Sequence, residues 1–303
     1  MIDQERRGRI MKLERFCIHD GPGIRTVIFM KGCFMRCRWC ANPEGQEMGE
    51  EWFFRKERCR SCGKCQRAGL EKERAALDVK NVNLSTTTWN RLSQNCSNRV
   101  FVPCSTDMTA LQLAQIVLKD MIFYGDNGGL TLSGGEALCQ ADFCEELLRL
   151  VRAEGCHTLI ETCGFGKSMD MYKLLKQLDE IYFDIKHTDP ILHEEYTGKK
   201  PDLIYHNLKL ADEAGIPITL RVPMIPGFNL NETFIQDLGE IAVHLKHLKE
   251  VHLMPYHELG VRKYDWLRRE YFMNNMVIPQ NEDLEPYALL LRKKKVHVHI
   301  GGL

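Results

Sequence analysis

The 303-residue chain has no surplus of either charge: 41 lysines and arginines stand against 41 aspartates and glutamates. A nucleic-acid footprint would show as a basic excess, so no nucleic-acid partner is expected. Local runs such as RKKK at 292–295 read as a solvated helix face. No apolar stretch approaches the length of a membrane span, so no membrane partner is expected. The opening residues, MIDQERRGRIMKLERF, lack the apolar centre of a secretory signal. These absences predict a cytoplasmic protein, and the 44% hydrophobic fraction suffices for a sizeable core.

Cysteine, by contrast, is plentiful, with thirteen in the chain. In a reducing compartment clustered cysteines bind metal or take part in catalysis more often than they pair as disulfides. Cys33, Cys37 and Cys40 fall within KGCFMRCRWCANPEGQ (31–46), and no fourth cysteine follows nearby. A structural zinc site wants four protein ligands. Three thiolates with the fourth missing fit instead a [4Fe–4S] cluster with one iron left open to an external ligand. A second set, Cys59, Cys62 and Cys65, lies in CRSCGKCQRAG (59–69). The remaining cysteines, 17, 96, 104, 139, 144, 156 and 163, are dispersed. Scattered cysteines usually serve as small buried apolar residues.

Between Cys40 and about residue 108 the sequence is polar and irregular. From there strands and helices alternate. Segments 23–33, 128–136, 156–164, 181–186, 216–227 and 250–257 have strand character. Segments 108–124, 141–155, 169–180, 202–215 and 231–248 have helical periodicity. This alternation predicts an α/β fold with a parallel sheet. Six βα units are fewer than the eight of a closed barrel, so the fold expected is an open, partial (β/α)6 TIM-type barrel. Ligands of parallel α/β folds bind at the carboxyl ends of the strands. There the sequence places Cys33, Gly134-Gly135-Glu136, Glu161-Thr162-Cys163-Gly164, Asp184-Ile185-Lys186, Arg221 and His257. One shared pocket is therefore expected on that rim.

The spacing Cys-x3-Cys-x2-Cys after a first strand is the signature of the radical S-adenosylmethionine superfamily. Together with HDGPGIRT (19–26), SGGE (133–136), DIKH (184–187), RVPMIPGFN (221–229) and PYHELG (255–260), the chain resembles the glycyl-radical-enzyme activating enzymes over nearly its whole length. The resemblance implies an oxidoreductase in which Cys33, Cys37 and Cys40 hold a catalytic [4Fe–4S] cluster that also binds S-adenosylmethionine. It implies reductive cleavage of that cofactor to a 5′-deoxyadenosyl radical, which takes hydrogen from a glycine of a partner glycyl radical enzyme. Trp39 and Ala41 would line the adenine side. Gly134 and Gly135 would bring backbone against the methionine amino group. Asp184, Ile185 and Lys186 would contact the ribose and methionine part, Arg221 the carboxylate, and His257 would close the pocket. In some relatives acids of this region hold a monovalent cation, a role that would fall here to Glu161, Thr162 and Asp184. An electron donor such as flavodoxin or ferredoxin is a further implied partner.

Residues 1–48 would then carry the first strand and cluster loop, 49–107 a ferredoxin-like insert, and 108–303 the rest of the barrel. Cys59-x2-Cys-x2-Cys65 is the first part of a bacterial ferredoxin run, but Gly69 stands where a fourth cysteine would follow. One auxiliary [4Fe–4S] cluster is expected, its fourth ligand Cys96 or Cys104, with Cys96 in the better register. Zinc is the alternative occupant. Two other readings compete with the activating enzyme: a radical enzyme acting on a small molecule, and a non-catalytic iron–sulfur electron carrier. A carrier would have no use for the polar rim.

Overall fold

The structure, a computed structural model, describes residues 6–76 and 84–301; Met1–Glu5, part of the N-terminal stretch read above, lie outside them. Among the described residues eleven strands are formed: β1 Arg7–Cys17, β2 Arg25–Met30, β3 Trp52–Phe54, β4 Phe101–Pro103, β5 Thr106–Thr109, β6 Gly129–Gly134, β7 His157–Thr162, β8 Glu180–Asp184, β9 Ile218–Met224, β10 Leu248–Pro255 and β11 Val298–Ile300. Nine of them make one sheet in the order β11-β10-β9-β8-β7-β6-β2-β1-β5. The six strands expected from the sequence are β2, β6, β7, β8, β9 and β10, and all pair in parallel. β11 adds a seventh, parallel to β10. The sheet's edges, β5 and β11, do not pair, so the barrel is partial and open.

Burial on both faces explains why these strands read as nearly continuous apolar runs. Val27, Ile28, Leu130, Leu132, Leu159, Ile160, Ile181, Phe183, Leu220 and Val222 are fully buried. Helices cover the outer face. Ala141–Arg152 buries Phe143, Cys144, Leu147, Leu148 and Val151, spaced so that one helical stripe meets the sheet.

Two expectations need correction. The helix expected over 108–124 is broken into Ala110–Leu118 and Met121–Tyr124. Between them Asp120 is fully buried, and its carboxylate pairs with Arg15 of β1 and accepts a hydrogen bond from Thr26 Oγ1 of β2 at 3.1 Å. That anchor ends the first helix. β1 and β5 were not expected as strands. β5 begins at Thr106, two residues inside the segment read as insert, and pairs antiparallel with β1 at the edge of the main sheet.

The segment read as an insert contains the antiparallel pair β3/β4, its strands separated by the helices Lys64–Arg67, Glu71–Ala76 and Thr86–Asn95. Phe54, Leu70, Leu92, Val100 and Phe101 form its own small core. None of the described helices is long and apolar enough to cross a membrane.

Candidate active site

β2 delivers Lys31 and Cys33 to the carboxyl-end rim, and the chain then turns through the cysteine loop. The loop is tied back on itself by Cys33 N–H to Gln46 O (3.1 Å) and Cys40 N–H to Cys37 O (3.2 Å). Lys31 is fully buried and donates to Glu44 O (2.6 Å) and to Glu51 (2.9 Å). From the far end of the chain, residues 260–271 strap the loop. Lys263 donates to Asn42 (2.7 Å) and Glu44 (2.6 Å), Tyr264 OH to Cys40 O (3.1 Å), and Arg269 to Pro43 O (2.7 Å) and to Glu51. This segment is a structural clasp on the cysteine loop.

A cavity of about 370 Å³ opens over the rim, within the usual range of small-molecule sites. Cys33, Cys37, Cys40, Trp39, Ala41, Gly134, Gly135, Asp184, Lys186, Arg221 and His257 all line it. Ile185 does not: its side chain is in the hydrophobic core, and its N–H donates to Arg221 O at 2.9 Å. Trp39 is buried against Phe228, ring centroids 4.9 Å apart. Gly134 has φ +106°, and a Cβ there would lie 2.6 Å from Met30 N. A Cβ on Gly135 would lie 2.3 Å from Gly32 O and 2.7 Å from Gly45 O. Only glycine lets this turn approach the cysteine loop so closely.

The rim is charged and internally paired. Lys186 Nζ donates to Asp184 at 3.0 Å. Burial works against the ammonium, but the Asp184 carboxylate offsets it and the Lys186 pKa is raised. Arg221 pairs with Glu161, which also accepts from Ser133 Oγ at 2.5 Å. Burial opposes the guanidinium charge, and Glu161, Asp184 and Asp20 restore it. The oxygens assigned to a monovalent cation are thus already engaged: Glu161 by Arg221 and Ser133, and Thr162 Oγ1 by Glu136 at 2.7 Å. The donor set does not fit a cation in this arrangement, because the chain supplies the positive charge itself.

Cys163, placed on the rim by the sequence but otherwise counted among the dispersed cysteines, lines the cavity, and its thiol donates to Glu136 at 2.9 Å. Its position at the end of β7 was the available signal. A hydrogen bond with Cys33 and burial push the Cys163 thiol up, while the same bond lowers Cys33. Burial also pushes the Cys37 thiol up to about 12 and the Cys40 thiol up to about 11, so position and not acidity groups the candidate ligands: Cys33, Cys37 and Cys40 share one loop, whereas Cys163 is held by Glu136. Among the described residues no three His, Cys, Asp or Glu side chains close on one point as a single ion needs. Three thiols spread around one cavity suit a cluster, whose irons each take one cysteine.

In the insert, Cys59, Cys62, Cys65 and Cys96 line a second cavity of about 390 Å³. Burial raises the Cys65 thiol, and the other three add to the shift. Cys104 does not line this cavity; it is buried, with its N–H on Glu51 O at 2.9 Å.

Fold and site together define a radical S-adenosylmethionine enzyme, and residues 94–238 match the Radical SAM superfamily. The cysteine loop lies upstream of the matched segment. The isethionate sulfite-lyase activating enzyme of Nitratidesulfovibrio vulgaris is 36% identical, over 92% of this chain and 93% of its own. The trans-4-hydroxy-L-proline dehydratase activating enzyme of Clostridioides difficile is 33% identical over 97% and 99%. The pyruvate formate-lyase 2-activating enzyme of Escherichia coli is 31% identical over 97% and 92%. A radical SAM methyltransferase from Sphaerobacter thermophilus shares the fold, with a TM-score of 0.50 at 13% identity, over 91% of this chain and 66% of that one. The chain belongs to the glycyl-radical-enzyme activating enzymes.

Proposed function

We propose that this chain generates a glycyl radical on a partner enzyme by removing one hydrogen atom from a backbone glycine. The observation that carries this reading is the convergence of Cys33, Cys37 and Cys40 with the polar rim on one cavity of an open sheet. Cys33, Cys37 and Cys40 would hold a [4Fe–4S] cluster with one iron open. When bound there, the cluster supplies the electron that cleaves S-adenosylmethionine to methionine and a 5′-deoxyadenosyl radical.

The chain's own residues do the rest. Gly134 and Gly135 offer backbone to the methionine end, and Asp184, Lys186 and Arg221 set opposite charges around it. Trp39, Ala41 and His257 bound the adenosyl side. A carbon radical takes hydrogen from whatever lies nearest, so the cavity must hold the target carbon close and exclude water. The gap between β5 and β11 leaves the barrel open, as access for a polypeptide loop requires. Cys59, Cys62, Cys65 and Cys96 would hold an auxiliary [4Fe–4S] cluster. A cytoplasmic carrier such as flavodoxin or ferredoxin would supply electrons.

The test is the yield of 5′-deoxyadenosine from reduced protein and S-adenosylmethionine. It should rise when a glycyl radical enzyme is added, since the partner completes the site. Deuterium passing into deoxyadenosine from a labelled small metabolite, with no radical on any added glycyl radical enzyme, would favour small-molecule chemistry instead.

A further inference from the structure

Cys37 lies between two cavities. One is the cavity over the rim. The other, of about 440 Å³, is lined by Arg36, Arg38, Arg268, Arg269, Tyr264 and Phe272, among others. Cys37 is the one residue common to both linings. The second cavity has four guanidinium groups in its wall against one carboxylate, Glu270. Arg36 pairs with Glu47 (2.8 Å), Arg38 with Glu195 (3.3 Å) and Arg269 with Glu51, but none of those three acids lines the cavity. Phe272 stands 66% exposed beside the arginines. The wall itself is rich in guanidinium groups, has an exposed aromatic, and reaches Cys37 without passing through the first cavity.

The chemistry proposed above consumes one electron per turnover, and no group of this chain is its ultimate source. The first cavity is committed to cofactor and target glycine, so the electron needs another approach. Coupling through a cysteine sulfur bonded to the cluster is the shortest one open to a protein in solution. We infer that the arginine-lined cavity over Cys37 is the docking site of an acidic one-electron carrier protein. The carrier loses one electron and the cluster gains it; no bond is made or broken and no proton moves. The inference rests on Cys37 being a cluster ligand, as proposed above. Charge complementarity of this kind acts mainly on the association rate and is weakened by salt.

The test is anaerobic stopped-flow reduction of the reconstituted protein, unmutated and as the Arg38→Glu/Arg268→Glu double variant. Two reductants are compared: reduced flavodoxin, which is acidic, and photoreduced 5-deazariboflavin, which is small and uncharged. With flavodoxin at low ionic strength the variant should be slower by about tenfold or more, and its salt dependence should flatten. With deazariboflavin the two proteins should react alike, with the same cluster absorbance. An unchanged flavodoxin rate overturns the inference, and so does equal slowing with both reductants, which would make the arginines supports of the loop. Iron and sulfide analysis of the unmutated protein reports on the cluster reading separately: an iron-free chain overturns both, whereas normal clusters with insensitive rates overturn the docking alone.

Discussion

Gly135 decides how near the turn after β6 can come to the cysteine loop. A methyl group there would press on two backbone carbonyls, Gly32 O and Gly45 O, neither of which can rotate away as a side-chain tip could. Overpacking of this kind costs about 1–3 kcal/mol. Gly135→Ala should therefore lose cluster absorbance on anaerobic reconstitution while retaining its far-ultraviolet circular dichroism; full iron retention would show that the loop yields. The SGGE stretch made this glycine legible in the sequence, because a glycine pair at a strand's carboxyl end has few other uses. Cys163 was legible as a rim position but not in its contacts. One isolated cysteine looks like any small core residue, and only the fold brings its thiol to Glu136. Ile185 erred the other way: it alternates with Asp184 and Lys186 along the chain, so its side chain points into the core.

Among the elements, the break at Asp120 couples three of them: it ends the helix Ala110–Leu118 and holds β1 and β2 through Arg15 and Thr26. The hydrogen bond from Arg15 keeps the Asp120 carboxyl below its ordinary range, with burial opposing. A depressed carboxyl pKa stabilises the fold above the ordinary carboxylate range, and that contribution fades as pH falls through the lowered value. Asp120→Asn should lower the melting temperature at neutral pH, and the gap from the unmutated protein should narrow in acid. A gap independent of pH would assign the effect to packing.

The periodicity of 108–124 gave no hint of this break, since Met121, Ile122 and Tyr124 continue the apolar pattern. β1 and β5 were also hidden. RGRIMKLERFC is strongly charged, as suits an outer strand, and TDMT is too short to show alternation. The central parallel strands were legible because burial on both faces leaves little but apolar residues. The insert's fourth cysteine belongs to this scale as well. Loss of Cys59, Cys62 and Cys65, or of Cys96 alone, should reduce iron from about eight to about four per chain, and Cys104→Ala should not. Stoichiometric zinc in the unmutated protein would contradict an auxiliary cluster.

At the scale of the whole molecule, distant parts of the chain converge on one loop. Lys31 holds its start, the clasp of residues 260–271 holds its end, and Arg269 meets Lys31 on the same Glu51 carboxylate at the edge of the insert. Trp266 extends the clasp onto the insert through Glu57 (3.1 Å) and Phe53. Cluster loop, barrel and insert are thereby fixed to one another, while the sheet stays open between β5 and β11. Such a molecule can hold a reactive site rigidly and still admit part of another protein. Its central act is the transfer of radical character out of this chain. The direct measurement is electron-spin resonance of the reduced protein mixed with S-adenosylmethionine and a glycyl radical enzyme, with the partner's loop glycine either unlabelled or deuterated at the α-carbon. A doublet from the glycine α-hydrogen is expected that collapses on deuteration, resides on the partner, and is absent with Cys33→Ala, Cys37→Ala or Cys40→Ala. A radical that stays on this chain, or that forms on the partner with any of those three cysteines removed, would contradict the proposed transfer.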